Sequence, residues 1–511
     1  MNEDLRRLAA GVVCVGFDGT RMDAALESKL RDLPLAGLIL FGRNIESLAQ
    51  TRALTDRIRE LYATASGLTP IVATDQEGGR VARLRDGVEE FPSMMALAAT
   101  GDAQLARRAG EQLAFDLRRA GVNLDFAPVL DLALQRDNTA IGARSFGSDP
   151  LRVAELAGAF AQGVREAGIV PTYKHFPGHG STAVDSHLGL PAIEEDATTL
   201  RARDLLPFKM LLPHAQAVMT AHIIFRALDG EHPATISPQI LTTLLREEIG
   251  FEGVCFTDCM QMDAIAKSVG TPQGAVRALI AGADCVLISH DITLAQQAVE
   301  LLLDAVADGS LSRSRLQGAY DRVASLRRSL AAPLPLDAPA PAAGIGREIG
   351  RRAVTRIRGD ATADTERSIV VTFEGTTTEG VVGAHSEHAS LVAAAPGLAE
   401  LRAALDPPAR QVTELLASLA RASRRPIVVM RRAHVYANQA RAVERILAAH
   451  PDTILVSARE PFDAFDFPQA RTVVCTYGDD APSIAGLADV LFGHARPEGV
   501  LPLSLPEPVE G

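Results

Sequence analysis

Three histidines, a lysine and an aspartate fall within fourteen residues, Lys174-His175-Phe176-Pro177-Gly178-His179-Gly180-Ser181-Thr182-Ala183-Val184-Asp185-Ser186-His187. Imidazoles titrate near neutrality, so several of them beside a short carboxylate suit proton transfer. His175, His179 and His187 could instead surround zinc together with Asp185. The glycines leave those histidines unfixed and no helical His-x-x-x-His pair is present, so no metal site is expected. A second stretch, Thr74-Asp75-Gln76-Glu77-Gly78-Gly79-Arg80-Val81-Ala82-Arg83, joins a carboxylate to two arginines through a tight turn. A carboxylate accepts two hydroxyls of a ligand and an arginine grips others, although a salt-bridged turn would read the same way. Arg144, in Ile141-Gly142-Ala143-Arg144-Ser145-Phe146, could point inward or be a surface charge. Asp258 ends the apolar run Val254-Cys255-Phe256-Thr257, where a carboxylate serves either as a nucleophile or as the N-cap of the next helix.

Apolar runs must carry these groups. Eight recur between helical patterns: Val12–Phe17, Gly37–Phe41, Pro70–Asp75, Asn123–Asp131, Ile169–Lys174, Ala217–His222, Gly253–Asp258 and Asp284–Ser289. The intervening helices show their ends. Ser47 with Gln50 is a capping-box signature, and Ser237-Pro238 an N-cap followed by proline. Gly121, Gly168, Gly250 and Gly282 stand where left-handed C-terminal caps are expected. Eight β/α units in about 300 residues predict a TIM barrel over residues 1–330, with an open doubly wound sheet as the rival. A barrel places its chemistry where strands end, and here those ends are Asp75, Asp131, Lys174 with His175, His222 and Asp258.

Residues 331–346 hold four prolines among alanines and glycines and read as a linker or strap. A second α/β pattern fills 347–511, with strands expected at Ser368–Phe373, Pro426–Met430, Thr453–Ser457 and Thr472–Thr476 and a helix at Ala437–His450. No glycine-rich phosphate loop follows any of these strands, so no nucleotide cofactor is expected.

Composition narrows the partners. The 511 residues are 47% hydrophobic and 22% charged, which fits a soluble globular class. A net charge of −12 argues against nucleic acid or an anionic membrane as partner. No run is apolar for long enough to span a bilayer, and the charged start lacks the form of a signal peptide. The five cysteines, four of them in apolar runs, read as buried free thiols and imply a cytoplasmic location.

Together the motifs resemble the β-N-acetylglucosaminidases of glycoside hydrolase family 3, the NagZ-like branch. The matching stretches are Asp75-Gln76-Glu77-Gly78-Gly79-Arg80-Val81, Asp125-Phe126-Ala127-Pro128-Val129-Leu130-Asp131, Arg144-Ser145-Phe146, Lys174 to Gly180 with Asp185-Ser186-His187, and Met219-Thr220-Ala221-His222. They cover the barrel from about Leu35 to Ser289. The second unit resembles the family's smaller αβα sandwich domain more loosely. The resemblance implies that Asp258 is the nucleophile, His187 the general acid/base and Asp185 its partner. Asp75, Arg83, Arg144, Lys174 and His175 would contact N-acetylglucosamine. Beside the nucleophile this chain has Asp258-Cys259-Met260 where the family often has Asp-Asp-Leu. An imidazole suits the acid/base role at neutral pH, and a glycine-bearing loop could bring it over the sugar on closure. With 4% aromatic residues and no tryptophan, a pocket for one terminal sugar is favoured over a long cleft. The expected activity is retaining, exo-acting hydrolysis of terminal β-linked N-acetylglucosamine from muropeptides or chitooligosaccharides. Transfer to phosphate by a phosphorylase, or a catalytically silent sugar-binding protein, are the alternatives. No cofactor is implied.

Overall fold

All eight apolar runs form parallel strands: β1 (Val13–Val15), β2 (Gly37–Leu40), β3 (Ile71–Thr74), β4 (Leu124–Asp125), β5 (Val170–Phe176), β6 (Ala217–Thr220), β7 (Val254–Cys259) and β8 (Cys285–Ile288). They close into one barrel, in the order β1-β8-β7-β6-β5-β4-β3-β2. The structure, a computed structural model, describes residues 3–182, 190–375 and 389–504.

Alternation along the strands builds two apolar layers. Val13, Val15, Leu38 and Leu40 face outward into the layer shared with helix residues such as Leu54, Ile58 and Leu61. Cys14, Ile39, Ala73, Phe126, Met219 and Phe256 belong to the separate interior cluster. Phe126 and Phe256 meet there edge to face, 5.6 Å between centroids. Each fully buried aliphatic or aromatic side chain contributes about 1.5–3 kcal/mol, so these two layers dominate the stability of the barrel.

Local signals hold with two corrections. Ser47 caps the helix Leu48–Ala65 by accepting the Gln50 N–H, but Gln50 takes the N–H of Glu46 rather than of Ser47. Ser237 Oγ accepts the Ile240 N–H at 3.1 Å. The four expected cap glycines all have positive φ. The fourth run forms a much shorter strand than expected, because its register to β5 slips beyond Asp125, where the Thr172 N–H donates to the Ala127 carbonyl at 2.9 Å and the Lys174 N–H to the Pro128 carbonyl at 3.2 Å. Pairing resumes beyond it only as an isolated bridge between Val129 and Lys174.

The C-terminal sheet comprises β9 (Thr355–Arg358), β10 (Ser368–Glu374), β11 (Ala399–Ala404), β12 (Arg425–Met430), β13 (Ile454–Ser457) and β14 (Thr472–Cys475). Its order is β9-β14-β13-β12-β10-β11, and only β9 runs antiparallel to its neighbour. Both faces are covered, which explains the continuous apolar runs of the central strands. Val371, Val428 and Leu455 pack with Leu415, Leu419 and Ile446 of the helices Ala409–Ala422 and Ala437–Ala449. Val370, Val429 and Val456 pack with Ile484 and Leu487 of Ala481–Leu491 on the other face.

Between the barrel and this sheet the proline-rich segment lies against two barrel helices. Its carbonyl oxygens accept from Arg52 (at Leu334, 2.6 Å), Arg118 (at Ala332, 2.9 Å) and Arg119 (at Leu336, 2.9 Å). All five cysteines are free, and the Cys14 and Cys285 sulfurs lie 3.6 Å apart across β1 and β8. Among the described residues no helix is long and apolar enough to cross a membrane.

Candidate active site

A cavity of about 680 Å³ opens where the barrel strands end. Asp75 enters it directly after β3, Lys174 and His175 from β5, and Asp258 from β7. Arg83 follows a short hairpin that pairs Gln76–Gly78 with Val81–Ala82, and Arg144 comes from the single turn Gly142–Arg144. All six line the same cavity. The volume is in the usual range for small-molecule sites.

One carboxylate organises the wall. Glu77, 1% exposed, receives Nε and Nη2 of Arg144, both at 2.7 Å, and Nζ of Lys174 at 2.5 Å. Lys174 also reaches Asp75 Oδ1 at 2.8 Å, and Arg83 approaches the other Asp75 oxygen at 3.8 Å. Burial alone would raise the Glu77 pKa, but Arg144 and Lys174 hold it well below the usual carboxylate range. Burial likewise opposes the Lys174 charge, and Asp75 and Glu77 more than offset it, so its pKa lies above the ordinary lysine value. Arg144 is held charged in the same way, against burial, chiefly by Glu77. The result is a fixed array of charged donors and acceptors, suited to gripping the hydroxyls of a polar ligand.

His175 is aimed from behind. Its Nδ1 lies 2.6 Å from Asp131 Oδ2, and the same carboxylate accepts the backbone N–H groups of His175 at 3.1 Å and His179 at 2.6 Å. Burial would raise the Asp131 pKa, but His175 and His179 bring it below its ordinary value. Asp131 therefore supports the site without lining it. Burial, with His175 adding to it, pulls His179 down to about 4, so its imidazole is neutral at physiological pH. His222 does not line the cavity either. It is buried, its Nδ1 2.7 Å from Thr235 Oγ1 and its Nε2 2.9 Å from the Cys259 carbonyl oxygen, where it braces the turn after the Asp258 carboxylate.

Asp258 is half-buried, and one of its oxygens accepts the Cys259 N–H at 2.7 Å. Cys259 itself lines the cavity, and burial pushes its thiol pKa up. His187 and Asp185 lie outside the described residues. Among the described residues no group of three His, Cys, Asp or Glu side chains gathers as a metal site would require.

Sequence reasoning named Arg144 and Lys174 but gave no role to Glu77, which unites them. Its one signal was a charged residue between Gln76 and two glycines in a stretch that had to be buried. Arg43 and His290, on the outer part of the cavity, were also missed. They carry no pattern in the sequence.

Residues 2–326 match the family model described as the glycosyl hydrolase family 3 N terminal domain. A β-hexosaminidase of Pseudomonas aeruginosa is 40% identical over 314 residues, spanning 60% of this chain and 92% of that protein. The β-hexosaminidase A of Pseudoalteromonas piscicida is 33% identical over 335 residues, spanning 61% of this chain and 56% of that protein. A glycoside hydrolase family 3 β-N-acetylglucosaminidase from Paenibacillus sp. str. FPU-7 superposes with a TM-score of 0.91 at 33% identity, covering 98% of this chain and 99% of that one.

Proposed function

The chain belongs to glycosyl hydrolase family 3, and from that premise we propose that it is an exo-acting, retaining β-N-acetylglucosaminidase. The observation that carries this reading is the cavity itself. A half-buried carboxylate, Asp258, faces the same space as the hydroxyl-gripping set Asp75, Arg83, Arg144, Lys174 and His175. The names of its relatives, β-hexosaminidase and β-N-acetylglucosaminidase, support the choice of sugar.

In this mechanism Asp258 attacks the anomeric carbon while His187 gives its proton to the leaving glycosidic oxygen. A covalent glycosyl-enzyme forms on Asp258 and the aglycone departs. His187, now neutral, takes a proton from water, which attacks the same carbon from the face the aglycone left. Two inversions return the β configuration. Asp185, two residues away, orients the imidazole and favours its protonated form. The terminal N-acetylglucosamine of muropeptides or chitooligosaccharides is the proposed substrate. The free thiols support a cytoplasmic location. We also propose a catalytic barrel over 1–330, a strap over 331–346 and a sandwich domain over 347–511, supported by the last barrel helix ending at Ser329.

The test is hydrolysis of an aryl β-N-acetylglucosaminide, run with and without phosphate and beside the β-glucoside. N-Acetylglucosamine should be released at a rate independent of phosphate. A sugar 1-phosphate product would make the enzyme a phosphorylase, and binding without turnover would make it a sugar-binding protein. His187→Ala should form the glycosyl-enzyme from the aryl substrate nearly as fast as the parent. From a natural disaccharide it should be on the order of 10²-fold slower, the usual size of general acid catalysis. Azide should release the trapped intermediate as a β-glycosyl azide. Equal loss with both substrates and no azide rescue would remove His187 from the proton-transfer role.

A further inference from the structure

The turn that carries Arg144 does not stand on the barrel alone. Glu460 and Arg432, both from the C-terminal domain, have side chains only 4% exposed. They are paired through Arg432 Nη2 to Glu460 Oε1 at 2.6 Å and Nε to Oε2 at 2.8 Å. The pair reaches across the domain boundary at two points. Glu460 Oε1 accepts the Ala143 N–H at 3.4 Å, and Arg432 Nη2 donates to the Thr139 carbonyl at 3.4 Å. Between those points Gly142 has a φ of +45°, and a Cβ there would run into the Glu460 carboxylate. Ser457 Oγ donates to the Glu460 carbonyl at 2.9 Å and fixes the acid from its own side.

What the pair holds matters to the site. Arg144 follows Ala143 immediately, and its Nη1 donates to the Ala140 carbonyl at 2.7 Å within the same turn. Its other donors then meet Glu77 on the cavity wall. The small space between the domains and the main cavity share Arg144 and Arg80 as lining residues, so Arg144 is a partition between them. The turn also touches the histidine-rich loop. Asn138 accepts the Ile141 N–H at 3.1 Å and donates to the His179 carbonyl at 2.9 Å.

We propose that Arg432 and Glu460 are a positioning pair for the sugar site: the C-terminal domain sets the Thr139–Arg144 turn, and through it the placement of the Arg144 guanidinium. This inference rests on the reading of Arg144 as a sugar contact. It makes the second domain part of the binding apparatus rather than an appendage, although neither residue touches the cavity.

A double-mutant cycle in the full chain tests it, with Glu460→Ala, Arg144→Ala and the double variant assayed on the aryl β-N-acetylglucosaminide. Small misplacements of a positioned group lower rates by up to about a hundredfold. Glu460→Ala should therefore lower kcat/KM by roughly ten- to a hundredfold, with KM rising. In the Arg144→Ala background the same change should cost less than about twofold, since coupled residues are not additive. Glu460→Gln and Arg432→Lys, which keep volume, run the same cycle if the alanine variant does not fold. An equal loss in both backgrounds would show that the pair only cements the domains and would overturn the proposal. So would wild-type kinetics for a folded Glu460 variant while Arg144→Ala is impaired. Wild-type kinetics for Arg144→Ala would instead overturn the sugar-contact reading itself, and the proposal with it.

Discussion

Removing the Glu77 carboxylate should destabilise the barrel more than most single changes, and by an amount that depends on pH. The carboxylate accepts three short bonds, from Arg144 Nε and Nη2 at 2.7 Å and from Lys174 Nζ at 2.5 Å. Hydrogen bonds to charged groups contribute about 1.5–3 kcal/mol each, which taken singly would give roughly 5–9 kcal/mol. They share one acceptor and are not additive. Taking one partner from a buried ion pair leaves the others uncompensated and costs about 3–5 kcal/mol, the better figure for Glu77→Ala. Glu77→Gln keeps one accepting oxygen and should fall toward the lower end. Domains of 150–250 residues lose about 2–4 °C of Tm per kcal/mol, and a larger barrel loses less, so a fall of about 5–10 °C is expected for the alanine variant. Calorimetry is the right probe, because the chain has no tryptophan to report unfolding and two domains can melt separately. The depressed Glu77 pKa fixes the sign with pH. Its stabilisation is present in full above the unfolded value near 4.5 and is lost as pH falls through the lower folded value. The gap between the parent and either variant should therefore narrow steadily as the buffer is taken below the unfolded value of about 4.5. A loss under about 1 kcal/mol, or a gap that stays constant in acid, would show that Arg144 and Lys174 do not depend on this carboxylate.

Two further outcomes are open to direct measurement. Asp258→Asn should keep its melting temperature and lose nearly all turnover, since an amide is a poor nucleophile; retention of more than a few per cent of parental kcat, after excluding deamidation by mass, would move the nucleophile elsewhere. Asp131→Ala should lose both stability and kcat/KM, because two backbone N–H groups and the His175 ring lose their acceptor; an unchanged urea midpoint would show that water replaces the carboxylate without penalty.

The strands were legible because a parallel barrel buries both faces of each one, leaving continuous apolar runs that end abruptly in charge. Asp75, Lys174, His175 and Asp258 stand at such ends and do line the cavity. The same rule also picked out Asp131 and His222, which stand behind it. Strand position alone does not tell a side chain facing the ligand from one bracing its neighbour. β9 and β11 escaped notice because they are edge strands, where Arg356, Arg358, Glu400 and Arg402 interrupt the apolar pattern. Glu77 was hidden by its own burial, since its meaning depends on two cations 67 and 97 positions away in sequence. The Glu460 contact to Ala143 spans 317 positions and has no local signature at all.

That separation also has a meaning in time. A ribosome adds about 5–20 residues per second, and domains fold as they emerge. The last barrel helix ends at Ser329, whereas the residue that braces the Arg144 turn is Glu460. A nascent barrel thus waits on the order of ten seconds before its brace is synthesised. During that interval it has Asp258 and the wall residues, but the Thr139–Arg144 turn lacks its outer support. The outer brace of the Arg144 turn thus arrives with the second domain, as a late step in the birth of the chain.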